Sequence, residues 1–87
     1  MPACERGVLA ACSGVAIAYR DGAGVERDLA RALEIFRTGC VRDDASMCHG
    51  FGEMVRDGMG MAADAGIAGG AFAKACVLGM QEACVAK

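Results

Sequence analysis

The sequence predicts an all-α fold, an α-solenoid of antiparallel helix hairpins. It reads as one domain over 1–87, with 36-residue units at 12–47 and 48–83 and partial units at 1–11 and 84–87. Three observations lead there. The six cysteines stand at 4, 12, 40, 48, 76 and 84, so their spacings alternate between 8 and 28 and the pattern recurs every 36 residues. Laying 12–47 over 48–83 without a gap gives eleven identities, among them Cys12/Cys48, Gly14/Gly50, Asp28/Asp64, Phe36/Phe72 and Cys40/Cys76. Self-similarity at a fixed period of this size marks stacked supersecondary units. The apolar residues are also small: 18 Ala and 13 Gly stand against 14 Val, Leu and Ile, three Phe, one Tyr and no Trp. Such a core gains little per residue by burial but lets helices approach closely.

Each unit resolves into two helices. Leu9–Arg20 offers Val15, Ala16 and Tyr19 to a core and ends at Asp21-Gly22-Ala23-Gly24, where Gly22 takes the left-handed conformation that closes a helix. Asp28 stands at an N-cap, its carboxylate facing the free N–H groups of the next turn. Leu29, Ala32, Leu33 and Phe36 follow at helical spacing, and Thr38-Gly39-Cys40 is expected to stop that helix. The second unit repeats the order: a helix near 45–57, the turn Asp57-Gly58-Met59-Gly60, a cap at Asp64, and a helix to about 77. Gly66, Gly69 and Gly70 weaken this last helix, each by up to about 1 kcal/mol against Ala, so it is expected to fray or to lean on its neighbours.

Composition excludes several classes. A net charge of −2, with nine basic and eleven acidic residues and no basic run, is wrong for a nucleic-acid binder. No run of 18 apolar residues is present, so no membrane span is expected. Glu5, Arg6 and Arg20 interrupt the first 20 residues, which do not read as a signal peptide.

The string Ala11-Cys12-x-Gly14, Tyr19, Gly22-x-Gly24-Val25, Asp28, Ala32, Phe36 and Cys40 resembles a Sel1-like repeat. The cysteine pairs narrow the resemblance to the cysteine-rich branch, similar to the Helicobacter cysteine-rich proteins and often labelled Hcp-like β-lactamases. It implies a solenoid related to tetratricopeptide arrays, bacterial export to an oxidising compartment, and disulfides. Ser13 and His49 stand where the family usually has Leu, and Val55 where it has Tyr. Two complete units with partial flanks also read as a slice of a longer array, since solenoids usually need about three repeats.

Two disulfide registers fit the spacing. Bonds across 28 residues join Cys12–Cys40 and Cys48–Cys76 but strand Cys4 and Cys84; bonds across eight use all six, as Cys4–Cys12, Cys40–Cys48 and Cys76–Cys84. Parity favours the shorter register, and the resemblance implies the same one. Reduced cytoplasmic cysteines packing as small hydrophobes are the alternative. A zinc site is disfavoured because no C-x2-C occurs and His49 is the only histidine.

The β-lactamase label is the sole pointer to catalysis, as the runner-up function of weak β-lactam binding or hydrolysis. Neither Ser13 nor Ser46 begins the Ser-x-x-Lys such a serine enzyme needs. Ser46 and His49, three apart, could touch on one helix face, but capping is the commoner role of such a pair. Asp43-Asp44 reads as a solvated corner. No catalytic residue, metal site or cofactor is therefore expected. The expected function is a non-catalytic interaction or scaffold module that takes a protein or peptide on a concave face lined by first helices. Ser13/His49, Ile17/Glu53 and Arg20/Arg56 lie at i, i+4 and i+7 of those helices and form the candidate contact stripe. Met47, Met54, Met59, Met61 and Met80 read as core gap-fillers, and self-association of the repeats is a further expectation.

Overall fold

A computed structural model describes residues 9–85, with side chains from Gly14 onward except those of Glu82 and Val85. Five helices occupy the described residues, and no strand occurs among them: α1 (Leu9–Asp21), α2 (Leu29–Val41), α3 (Ala45–Asp57), α4 (Ala65–Val77) and the short α5 (Gln81–Val85). Each helix packs chiefly on its neighbours in sequence, α1 on α2, α2 on α3, α3 on α4 and α4 on α5. That succession of neighbour contacts is the quasi-one-dimensional order of a solenoid.

The period of 36 reaches down to single hydrogen bonds. The Ala23 N–H donates to Ala18 O at 2.9 Å, and Met59 donates to Met54 O at 2.8 Å. Asp28 donates to Tyr19 O at 2.9 Å, and Asp64 to Val55 O at 3.2 Å. Gly22 and Gly58 close α1 and α3 with φ of 71° each, the left-handed conformation that costs a residue without Cβ least. Asp28 and Asp64 cap α2 and α4 by accepting from Arg31 N and Ile67 N, each at 3.0 Å.

Two sequence expectations are corrected. Thr38-Gly39-Cys40 does not stop the second helix: α2 runs to Val41, and Gly39 is buried within it because a Cβ there would overlap Met47 of α3. Asp43-Asp44 is more than a solvated corner. Asp44 caps α3 by accepting from Met47 N at 3.1 Å, while Asp43 adopts φ 66° and receives Lys74 Nζ at 3.1 Å. The glycine-rich α4 runs unbroken from Ala65 to Val77 and leans on its neighbours through Ala68, Ala71, Phe72 and Ala75.

The core is thin but continuous. Ala16, Ala32, Phe36, Met47 and Met54 form its centre, flanked by Tyr19, Leu29, Leu33 and Phe51. Val55, Ala68 and Phe72 extend it toward α4, sharing Leu33 and Phe51 with the first cluster. The methionines fill gaps, with Met47 and Met54 fully buried and Met59, Met61 and Met80 packed at the margins. Close approach is bought with glycine at the helix crossings: a Cβ on Gly50 would run into the Phe36 ring, and one on Gly52 would meet Phe72 at 2.9 Å.

Candidate functional site

The stripe expected to read a partner lies on α1 and α3. Ile17 is 40% exposed on α1, and Arg20 follows one turn later with its side chain partly covered. Cys4 lies outside the described residues, and so do the side chains of Cys12 and Ser13. On α3, His49 and Glu53 meet across one turn, Nδ1 to Oε1 at 3.6 Å. Arg56 lies one turn further and is exposed.

The charged members do not stand alone. Arg20 donates from Nε to Asp21 Oδ1 at 2.9 Å, and Arg56 repeats the contact with Asp57 at the same distance. The adjacent guanidinium holds each aspartate below the usual carboxylate range. Both arginines are raised, first by those hydrogen bonds and in lesser part by the field of Glu53.

One element of this surface was hidden from the sequence. Phe72 of α4 is buried beneath it, its ring centroid 5.5 Å from that of His49 and 5.8 Å from the Arg56 guanidinium carbon. His49 and Arg56 are thus tied to the core as well as presented to solvent. Helical spacing alone could not foresee this, because it relates residues within one helix, and Phe72 lies in the next. Arg31 makes a similar contact with Tyr19, 5.3 Å from its ring.

The residues weighed for chemistry do not assemble. Ser46 is exposed on the first turn of α3, and His49 turns instead to Glu53 and Phe72. Among the described residues, no group of three His, Cys, Asp or Glu side chains could hold a metal ion.

The helix corners carry covalent bonds. Cys40, near the end of α2, is bonded to Cys48 in α3 across a Cα separation of 4.3 Å. Cys76, near the end of α4, is bonded to Cys84 in α5 across 4.8 Å. Each bond spans eight residues and locks one hairpin to the helix that opens the next. Among solved structures, Helicobacter pylori cysteine rich protein B superposes on 94% of this chain with a TM-score of 0.88 and 30% identity.

In fold the chain is similar to this cysteine-rich Helicobacter protein.

No family model and no curated protein matches the sequence. The chain spans 62% of the length of the Helicobacter protein. His49, one residue before the buried Gly50, is half-buried and turns its imidazole toward Glu53 at the rim. Val55, standing where the first unit has Tyr19, is fully buried among Ala68 and Phe72. A second surface feature lies beyond the stripe, an apolar groove of about 600 Å³ along α4 and α5, with Arg56 at its edge.

Proposed function

We propose that this chain is a non-catalytic interaction module that binds a protein or peptide segment through the first-helix stripe Ser13, Ile17, Arg20, His49, Glu53 and Arg56. The observation that supports this reading is the one-turn pair of His49 and Glu53, with Arg56 exposed one turn further on α3 and Ile17 exposed on α1. A surface carrying charges of both signs on a stapled scaffold suits a segment of mixed charge, and complementary charge of this kind sets orientation and partner choice. Between units the stripe positions change from Ser13 to His49 and from Ile17 to Glu53, while packing positions such as Ala32/Ala68 and Phe36/Phe72 are kept.

The same reading places the protein in an oxidising compartment, where disulfides persist. It also assigns the remaining pair, Cys4 and Cys12, to a third eight-residue staple by register. Peptide mapping of the natural protein under non-reducing conditions tests that assignment, and a full set of free thiols would defeat it.

Reversing charge at Glu53 and Arg56 together (Glu53→Lys, Arg56→Glu) tests the stripe. Partner recovery from an extract of the exporting cell should fall at least tenfold while the melting temperature stays within a few degrees. Unchanged recovery would remove the stripe from the binding surface.

A further inference from the structure

Arg precedes Asp four times in the chain, at 20–21, 27–28, 42–43 and 56–57, and two of these aspartates, Asp21 and Asp57, are followed by Gly. Only at those two does the arginine turn to its neighbour. Arg20 and Arg56 each hold both carboxylate oxygens of the next residue, Nε on Oδ1 at 2.9 Å and Nη2 on Oδ2 at 3.2 Å. Arg27 instead donates from Nε to Arg20 O at 3.1 Å, leaving Asp28 to cap α2, and Asp43 receives Lys74. Consecutive residues of a helix ordinarily point apart, so helical spacing does not supply this grip. Stability does not account for it either. Both aspartate side chains are about half exposed, and ion pairs so open to water contribute little.

We infer that Asp21-Gly22 and Asp57-Gly58 are latent sites of backbone modification, by succinimide closure to β-linked aspartate, and that Arg20 and Arg56 keep them closed. Glycine favours this reaction because it puts no Cβ beside the attacking nitrogen. In the second unit, the Gly58 nitrogen would bond to Cγ of Asp57, and the carboxyl hydroxyl would leave with the N–H proton as water. Water then adds at the former backbone carbonyl and that carbon–nitrogen bond breaks. The main chain now runs through Cβ and Cγ, one carbon longer. Water leaves readily only from an uncharged carboxyl. The arginine opposes this by hydrogen-bonding the ionised form, which leaves a smaller uncharged share at any pH above the carboxyl's own range. It also fixes both oxygens, so Cγ is not free to swing onto the glycine nitrogen, and the Gly58 N–H is itself occupied by Met54 O and Val55 O. The position matters to the fold. Gly22 and Gly58 stand at φ 71°, and just beyond them Ala23 and Met59 donate to Ala18 O and Met54 O to close each turn. An added backbone carbon would throw those bonds out of register. No asparagine, whose amide undergoes the same closure with loss of ammonia, occurs in the chain. Arg20 and Arg56 also belong to the α1/α3 stripe, but this inference does not rest on that reading.

Prolonged incubation of the oxidised chain at mildly acidic pH, below its melting temperature, tests this. Fragmentation mass spectrometry distinguishes aspartate from its β-linked isomer at each site. The wild type should keep aspartate at both. Arg56→Gln should accumulate the isomer at Asp57 several-fold faster than the wild type while Asp21 is spared, and Arg20→Gln should give the mirror image. The untouched dipeptide in each variant reports on folding, so acceleration at both sites together marks general loosening and overturns the inference. In stronger acid the gap between variant and wild type should close, because the carboxyl is then protonated with or without its arginine. A gap of the same size there would show the arginine acting only through the backbone, which also overturns the inference. Equal rates in the wild type and both variants do so as well.

Discussion

Gly50 and Gly70 both sit inside helices, yet their neighbours give them opposite roles. At Gly50 the Phe36 ring occupies the space a Cβ would need, whereas at Gly70 nothing lies within 4 Å. Gly50→Ala should therefore lower stability by about 1–3 kcal/mol through overpacking. Gly70→Ala should raise it by about 0.5–1 kcal/mol through reduced backbone freedom of the unfolded chain. Urea unfolding of the two variants side by side checks both signs. The carboxylates of Asp21 and Asp57 offer a second test at this scale. Each is held below the usual range, chiefly by its hydrogen bond from the preceding arginine. A depressed pKa in the folded state contributes stability that is present above the unfolded value and is lost as pH falls through the folded one. NMR titration of the side-chain carboxyls should find these two protonating last on acidification, and Arg20→Gln should return Asp21 alone to the ordinary range. Sequence pattern exposed the glycines and aspartates but not their partners, because the contacts that decide their roles come from other helices or depend on side-chain geometry.

Helix ends were the most readable elements. Asp28, Asp64, Gly22 and Gly58 carry local chemistry that works within a few residues, so their capping and turn roles are visible in the sequence. The end of α2 was not. Gly39 resembles a stop signal, but it lies under Met47 at a crossing with α3, and tertiary packing overrides the local tendency. Asp44 was missed for a related reason, since a pair of adjacent aspartates at a corner resembles solvated surface until one is seen accepting from Met47 N. Asp44→Ala should cost about 1 kcal/mol, the ordinary loss for a removed cap, measured by thermal or urea unfolding. At the same corner, replacing Cys40 and Cys48 by Ser should cost about 2–3 kcal/mol, the chain-entropy value for so short a loop. Replacing Cys76 and Cys84 should chiefly loosen α5, whose packing is on α4, and amide exchange should rise there before it rises in α3.

For the molecule as a whole, the 36-residue period proved to be a property of the backbone as well as of the letters, reproduced in capping bonds, turn glycines and helix corners. The period also hid a departure from it. Matching positions draw attention first, while Arg31/Ile67, Glu34/Gly70 and Arg37/Ala73 differ in charge although all six are exposed. The shortness of the staples bears on how such a chain matures. Each observed bond closes eight residues, whereas the competing register would close 28. By loop-closure entropy the shorter ring is favoured by roughly 1 kcal/mol before any native contact forms. As the chain emerges from its N-terminus, the second cysteine of each staple thus meets its proper partner first, eight residues back along the same strand of nascent chain. Oxidation can keep pace with emergence, corner by corner, and lengthening such an array adds junctions without multiplying the ways to pair them wrongly.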